Sequence, residues 1–167
     1  MKIRQLTPED AWGYWDLRVE AVLKSPDAFV LTYEEAISRT APVERAAERL
    51  ADTNSYTYGA FQDGELVGIA TLALKPHFKM RHKANILAMY VSPNARRLGA
   101  GKALLVAVTE KAKELKLEQL QLTVVADNEA ARSLYEGLGF EVYGVEKEAL
   151  KLEDGYLDEV EMVLFLQ

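Results

Sequence analysis

The chain has 167 residues, with 20 basic and 26 acidic side chains and a formal net charge of −6. Its composition, 49% hydrophobic and 28% charged, is typical of a globular protein, and its length suits one domain over residues 1–167. The absence of cysteine excludes disulfides and a thiolate nucleophile from the protein itself. The longest uncharged stretch, residues 84–95, is too short and polar to span a membrane, and the N-terminus lacks a signal-peptide core. We therefore expect a cytoplasmic protein without a membrane partner.

The charge is distributed unevenly along the chain. Residues 66–109 contain no Asp or Glu and seven Lys or Arg, so this segment carries +7 and the remainder −13. Such a segment is either a solvated basic face or a local anion site. The overall acidity argues against a broad nucleic-acid surface, so we expect no nucleic-acid partner.

The first third of the chain predicts a short strand and two helices. Thr7-Pro8-Glu9-Asp10 is a helix start, with Thr as the N-cap and Pro at the first helical position. This helix should extend to about Lys24, with Trp12 and Trp15 as core residues at helical spacing. A loop containing Glu34 and Glu35 then precedes a second helix over residues 42–50.

The remainder of the chain predicts a mixed sheet. Asp63-Gly64 lies between apolar runs at residues 56–61 and 66–74, which is a strong hairpin signal. The next strand, residues 84–91, follows too closely for a crossover helix, so these three strands should be antiparallel. The later elements are a helix over 101–115, a strand over 120–124, a helix over 128–138 and strands over 140–150 and 156–166. This order predicts an α+β fold with a mixed, mostly antiparallel sheet flanked by helices.

The most specific motif follows the strand that ends at Val91. Residues 96–102 read Arg-Arg-Leu-Gly-Ala-Gly-Lys and lead directly into a helix. Glycines expose backbone N–H groups, and a helix N-terminus attracts anions, so the segment favours a phosphate site over a simple capping turn. Neither the P-loop pattern nor the dinucleotide Gly-x-Gly-x-x-Gly pattern is present.

Two segments carry a family resemblance. Arg96-x-x-Gly99-x-Gly101 resembles the Q/R-x-x-G-x-G/A signature of the GNAT superfamily of acyl-CoA-dependent N-acyltransferases. The segment from Asn128 to Phe140, which contains Tyr135, resembles the second signature of that family. The predicted element order resembles the family fold over residues 2–166, and the resemblance implies a splayed central strand pair.

The resemblance also implies roles for named residues. Backbone amides in the glycine segment would bind the pyrophosphate of acetyl-CoA, the central strand would pair with the pantetheine arm, and Asn128 would hydrogen-bond that arm. Tyr135 would protonate the leaving thiolate, although a core aromatic is the alternative at its helical spacing. The residues that the resemblance assigns to acetyl-CoA are Met89, Val91, Arg96, Arg97, Leu98, Gly99, Ala100, Gly101, Lys102 and Asn128.

The general base is not assigned by these patterns. Residues 84–90 contain no acid, so a family glutamate on that strand has no counterpart here. Glu34 and Glu35 are candidates but are equally well explained as solvated loop acids, and Tyr156 and Asp158 on the last hairpin are further candidates. No metal site is expected, because His77 and His82 lack partners at metal-ligand spacing.

These observations predict an N-acetyltransferase that uses acetyl-CoA as co-substrate, without a metal. The acetyl group would pass to a primary amine of a small molecule or a protein by direct attack within a ternary complex. The alternative is a non-catalytic acyl-CoA-binding sensor or interaction module. The family resemblance and the apolar residues 160–166 also suggest a homodimer.

Overall fold

The computed structural model describes residues 1–167 and contains one seven-stranded sheet. The strands are β1 (Lys2–Gln5), β2 (Ser55–Gln62), β3 (Glu65–Leu74), β4 (Lys83–Val91), β5 (Gln119–Val125), β6 (Glu141–Leu152) and β7 (Gly155–Phe165). Their order in the sheet is β1-β2-β3-β4-β5-β7-β6, and only β4 and β5 are parallel neighbours. The predicted α+β fold and antiparallel β2-β3-β4 meander are confirmed.

Five α-helices cover the sheet. They are α1 (Ala11–Lys24), α2 (Tyr33–Ile37), α3 (Pro42–Ala51), α4 (Ala100–Glu114) and α5 (Glu129–Gly137). None of them is both long and apolar enough to cross a membrane. The short helix α2 was predicted as loop, although Thr32 and Glu35 form a capping box that signals a helix start: the Glu35 N–H donates to Thr32 Oγ1, and the Thr32 N–H to Glu35 Oε2.

The predicted helix start at Thr7 is confirmed. Residues Pro8–Asp10 form a 3₁₀ turn that leads into α1, and the Asp10 carboxylate accepts a 2.8 Å hydrogen bond from the Thr7 N–H. The same carboxylate receives two 2.8 Å hydrogen bonds from the Arg4 guanidinium. This bidentate contact joins β1 to the start of α1.

The predicted core face of α1 is wrong at Trp12, whereas Trp15 is partly buried and packs against buried residues as predicted. Trp12 is 69% exposed, whereas the buried residues of this helix are Ala11, Tyr14, Leu17, Ala21 and Val22. The helix is therefore rotated by about one residue from the predicted stripe, since successive side chains lie about 100° apart. Small side chains at Ala11 and Ala21 bring the helix close to the sheet, and the larger Trp12 remains outside.

The sheet has a core on each face. The larger core packs α4 and α5 against the sheet and includes Leu104, Leu120 and Met162; the smaller lies under α1 and α3 and includes Leu17 and Ile69. Strand β7 lies between β5 and β6, and its apolar side chains at residues 160, 162 and 163 are buried. Burial within the sheet accounts for the apolar side chains at these three positions, whereas Phe165 of the same strand is 65% exposed.

Candidate active site

Strands β4 and β5 separate in the middle of the sheet. Residues 83–85 of β4 pair with residues 119–121 of β5, and no pairing continues beyond them, although both strands extend further. A cavity of about 770 Å³ lies in the gap. The splayed strand pair implied by the family resemblance is therefore present, and the gap exposes strand backbone to a ligand.

A bulge in β4 faces this cavity. Ile69 pairs with Tyr90 and Thr71 with Leu87, so Ala88 and Met89 lie opposite a single residue of β3. Ala88 has φ of +54°, a left-handed conformation that is uncommon outside glycine. Such a bulge leaves its extra residue unpaired and redirects the strand. Both bulged residues line the cavity, and β4 ends two residues later at Val91, before the glycine segment.

The glycine segment presents an uninterrupted row of free donors. The backbone N–H groups of residues 97–102 make no hydrogen bond within the protein. The first N–H of the helix that does so belongs to Ala103, which donates to the Gly99 carbonyl. Positive φ angles at Arg97 (+63°) and Gly99 (+84°) curl the segment. Consecutive amides in such a curl, at the N-terminus of a long helix, form a concave anion site.

The two glycines of the segment have different roles. A Cβ atom at Gly99 would have no heavy atom within 4 Å, so this position borders open space at the cavity. A Cβ atom at Gly101 would lie 3.1 Å from Leu134 Cδ2 and 3.3 Å from Met89 Cε. Gly101 therefore permits the close packing of α4 against α5 and β4.

Arg96 makes contacts within the protein. Its Nε donates to the Val91 carbonyl at 3.0 Å, one terminal nitrogen donates to Ser25 Oγ at 3.3 Å, and the guanidinium lies 5.8 Å from the centre of the Tyr90 ring. These contacts fasten the glycine segment to the end of β4 and to the turn after α1. The positive charge still lies at the cavity, which Arg96 lines.

All but one of the predicted acetyl-CoA residues line the cavity. The exception is Leu98, which is 57% exposed and does not line the cavity. Asn128 is the N-cap of α5, where its Oδ1 accepts from the Ala131 N–H at 3.2 Å and its amide nitrogen has no partner in the protein. The lining members of the predicted set are Met89, Val91, Arg96, Arg97, Gly99, Ala100, Gly101, Lys102 and Asn128.

Tyr135 is a buried residue at the same cavity. The residue is 6% exposed, and its ring packs edge-on against Phe140 with 5.9 Å between the ring centres. Burial alone raises the pKa of Tyr135 to about 12, since no hydrogen bond or charge contributes. The hydroxyl is therefore protonated at neutral pH and available as a donor.

A polar wall on β5, β6 and β7 was not predicted. Gln121 and Thr123 alternate with the core residues of β5, and Glu161 pairs with Thr123 across β5 and β7. Glu161 is the only carboxylate among the residues that line the cavity, and its Oε2 accepts a 2.8 Å hydrogen bond from Tyr143 Oη. The sequence signal was an acid between two apolar residues of a strand, Val160 and Met162.

The predicted base candidates do not line the cavity. Glu35 caps α2, Tyr156 is 52% exposed, and Asp158 accepts hydrogen bonds from Lys147 Nζ at 2.9 Å and from the Glu148 N–H at 2.8 Å. Glu34 lies beside Glu35 on α2 and is exposed. The structure holds no group of three or more metal-ligating side chains.

The sequence model of the Acetyltransferase (GNAT) family matches residues 24–140, which extend from the end of α1 to just beyond α5 and include the whole glycine segment. The chain belongs to this family. It is 37% identical over 98 residues to mycothiol acetyltransferase of Paenarthrobacter aurescens (strain TC1), an alignment that covers 58% of this chain and 30% of that protein.

Solved structures agree with this assignment. The fold is similar to that of a GNAT-family acetyltransferase from Streptococcus pneumoniae, with a TM-score of 0.88, 25% identity and 99% of both chains covered. It is also similar to yncA from Salmonella typhimurium, solved with its cofactor acetyl-CoA, with a TM-score of 0.86, 20% identity, and 100% of this chain and 94% of that chain covered. The predicted GNAT fold and membership in a family of acyl-CoA-dependent acetyltransferases are confirmed.

Proposed function

We propose that the protein transfers the acetyl group of acetyl-CoA to a primary amine by direct attack within a ternary complex. The observation that carries this proposal is the gap between β4 and β5, which has free amides at one end and a protonated phenol and a carboxylate on its walls. The proposal assigns the activity to a single domain over residues 1–167. A cytoplasmic location and a homodimer remain predictions.

The residues present fit a diphosphate. The six free amides of residues 97–102 are flanked by Arg97 and Lys102, and no acid lies within the basic segment to oppose an anion. Asn128 offers its unpartnered amide nitrogen further along the cavity. Acetyl-CoA bound here supplies the activated acyl group, and the bulge at Ala88 and Met89 offers backbone donors to the oxygen on which negative charge develops.

Glu161 is the base in this proposal. An acceptor amine arrives protonated at neutral pH and must lose a proton before its nitrogen can attack. Glu161 accepts that proton directly or through a water, and Tyr143 holds the carboxylate in place by its 2.8 Å hydrogen bond. The polar side chains of Gln121 and Thr123 provide hydrogen-bond partners on the same wall.

Tyr135 is the acid. As the new C–N bond forms and the C–S bond breaks, Tyr135 donates its proton to the departing sulfur, so that free CoA leaves as a thiol. The phenol is a weaker acid than a simple thiol, by about 3.5 pKa units when its pKa is about 12. Burial in the same cavity would also raise the pKa of the CoA thiol, which narrows the difference between the two pKa values.

The decisive experiment mixes the protein, acetyl-CoA and a panel of amines and measures the free thiol with a chromogenic disulfide reagent. The chain has no cysteine, so the reagent reports CoA alone. Amine-dependent thiol release with formation of the N-acetyl product is expected. Tight acetyl-CoA binding without thiol release on any amine would favour a non-catalytic acyl-CoA sensor instead.

A further inference from the structure

A second, smaller pocket is lined by four arginines. It has a volume of about 40 Å³ and lies between α1, α3 and the segment that joins them. Arg18 comes from α1, Arg39 from the turn after α2, and Arg45 and Arg49 from successive turns of one face of α3. None of the four forms a salt bridge with a carboxylate. Arg18 is partly buried and Arg39, Arg45 and Arg49 are exposed, so the pocket carries a local positive charge in a chain of net charge −6.

The wall of this pocket also contains a buried hydroxyl without a partner. Tyr14 is 3% exposed, lines the pocket, and its Oη makes no hydrogen bond. Buried polar groups are almost always satisfied, so an orphan hydroxyl beside four guanidinium groups requires an explanation. An oxyanion in the pocket would accept a hydrogen bond from the Tyr14 hydroxyl.

The electrostatics of Arg18 indicate the same kind of ligand. Burial lowers the pKa of Arg18 most, the nearby Tyr14 raises it, and the neighbouring charges of Arg49 and Arg39 also lower it. The arginines thus repel one another in the absence of an anion. A bound anion would reverse this repulsion, and guanidinium groups are suited to bidentate hydrogen bonds with carboxylate or phosphate oxygens.

We propose that the pocket bounded by Tyr14, Arg18, Arg39, Arg45 and Arg49 binds an oxyanion group, carboxylate or phosphate, carried by a small molecule. A water needs roughly 10–15 Å³ of such volume, so 40 Å³ holds about three heavy atoms, the size of a carboxylate or the outer oxygens of a phosphate. Binding of a free anion here does not depend on the acetyl-transfer reaction, whereas binding of an acceptor's acid group rests on the proposed function.

The position of the pocket beside the large cavity means that the bound oxyanion could come from two kinds of molecule. Arg18 lies 5.9 Å from the centre of the Phe29 ring, and Phe29 lines the large cavity and packs edge-on against Tyr90 at 6.2 Å. Phe29, a wall of the large cavity, therefore lies beside Arg18, a wall of the small pocket. The oxyanion is either a free small anion or the acid group of an acceptor whose amine enters the large cavity.

The test is a titration of the full chain with inorganic phosphate and with acetate at constant ionic strength, followed by ¹H–¹⁵N NMR that includes the arginine Nε–Hε groups. Saturable shifts are expected at Arg18, Arg39, Arg45 and Arg49. Shifts at residues 97–102 report binding to the glycine segment separately. No saturable shift at the four arginines would overturn the proposal, and this readout needs no turnover.

Variants distinguish a binding site from a structural cluster. Tyr14→Phe and the double variant Arg45→Gln/Arg49→Gln should each weaken anion binding by about tenfold or more, because each removes hydrogen bonds to a charged group. The control Arg81→Gln changes an arginine outside the pocket and should bind as the wild type does. Equal affinity in all variants would contradict the site.

Thermal unfolding gives an independent readout. Without anion, Tyr14→Phe should unfold at the same or a higher temperature, because it removes an unsatisfied buried hydroxyl, and it should lose the anion-dependent rise in Tm. A lower Tm without anion, together with an unchanged anion effect, would make the hydroxyl structural and would count against the proposal.

Kinetics then separate the two sources of the oxyanion. If the site binds the acid group of the acceptor, phosphate should inhibit competitively against amines that carry a carboxylate and should not inhibit with amines that lack an acid group. If the site binds a free anion, phosphate should not inhibit with either kind of amine.

Discussion

Tyr143 Oη donates a 2.8 Å hydrogen bond to Glu161 Oε2, and both side chains line the cavity between β4 and β5. The two residues lie on neighbouring strands, so the carboxylate is held by the sheet itself. The second carboxylate oxygen of Glu161 has no partner within the protein. A fixed carboxylate with one free oxygen is suited to accept a proton from an amine or from a bridging water.

The variant Glu161→Gln should therefore lose turnover. The amide keeps the size of the side chain and can still accept from Tyr143, but it cannot take a proton, so we expect kcat to fall about 100-fold at pH 7. The measurement is steady-state thiol release. Glu159→Gln is the matched control, because it lies two residues away on the same strand face and does not line the cavity. Full turnover in Glu161→Gln would remove Glu161 from the mechanism.

Tyr135→Phe should separate chemistry from binding. Its hydroxyl makes no hydrogen bond within the protein, so the variant should fold with unchanged stability and bind CoA with nearly unchanged affinity by calorimetry. We expect kcat to fall about 100-fold because the leaving sulfur loses its proton donor. Since the pKa of Tyr135 is about 12, the wild-type rate should show no decline from its ionisation below about pH 10. Unchanged kcat in the variant would exclude Tyr135 as the acid.

The features predicted correctly from the sequence depend on local chemistry. The Thr7 helix start, the Asp63-Gly64 turn and the glycine segment before α4 are each set by residues that are adjacent in the chain. Their backbone conformations follow from capping and from the freedom of glycine, and need no knowledge of distant contacts.

The features that the sequence did not predict depend on how distant elements pair and pack against one another. Glu161 faces the cavity because β7 pairs with β5 in the register that places it opposite Thr123. A one-residue slip would turn it to the other face, and no local pattern fixes that choice. Trp12 illustrates the same limit, because two overlapping apolar stripes run along α1 and only packing against the sheet selects the one through Tyr14.

Gly99→Asp should abolish CoA binding while leaving the fold intact. Gly99 and Gly64 make a matched pair, with φ angles of +84° and +87° and no heavy atom within 4 Å of an added Cβ. Gly99→Asp and the control Gly64→Asp should each lower the free energy of unfolding by about 1 kcal/mol, because Asp is disfavoured in the left-handed backbone conformation. Only at Gly99 does the new carboxylate lie among the free amides. The measurements are CoA affinity and chemical unfolding. Equal CoA affinity in the two variants would contradict the placement of the diphosphate site.

Asp10→Asn should destabilise the protein in a pH-dependent way. The hydrogen bonds from Arg4 are the largest cause that lowers the pKa of Asp10 from 3.8 to about 2. Because the folded pKa is lower than the unfolded one, this stability is present above about pH 4 and is lost as pH falls toward 2. The shift corresponds to at most about 2.5 kcal/mol, and solvent screening of the partly exposed pair reduces the expected loss to about 1 kcal/mol at pH 7.

Urea unfolding of the wild type and Asp10→Asn at pH 7 and near pH 2 measures this difference. Asp154→Asn in the β6–β7 turn is the control, because Asp154 forms no salt bridge. The urea unfolding curves of the wild type and Asp10→Asn should converge at the lower pH. A loss of stability that is the same at both pH values would mean that the ionised pair with Arg4 does not contribute.

The hydroxyls of Thr57 and Thr71 should show strong coupling. They are cross-strand partners on β2 and β3, 4% and 5% exposed, and their Oγ1 atoms lie 2.8 Å apart in a hydrogen bond. Thr57→Val keeps the shape of the side chain but leaves the Thr71 hydroxyl buried without a partner, at a cost of about 1–3 kcal/mol. The double variant Thr57→Val/Thr71→Val removes both hydroxyls and should recover most of that loss. Urea unfolding of the four proteins in the cycle measures the coupling, and losses that simply add would show that the two hydroxyls are satisfied independently.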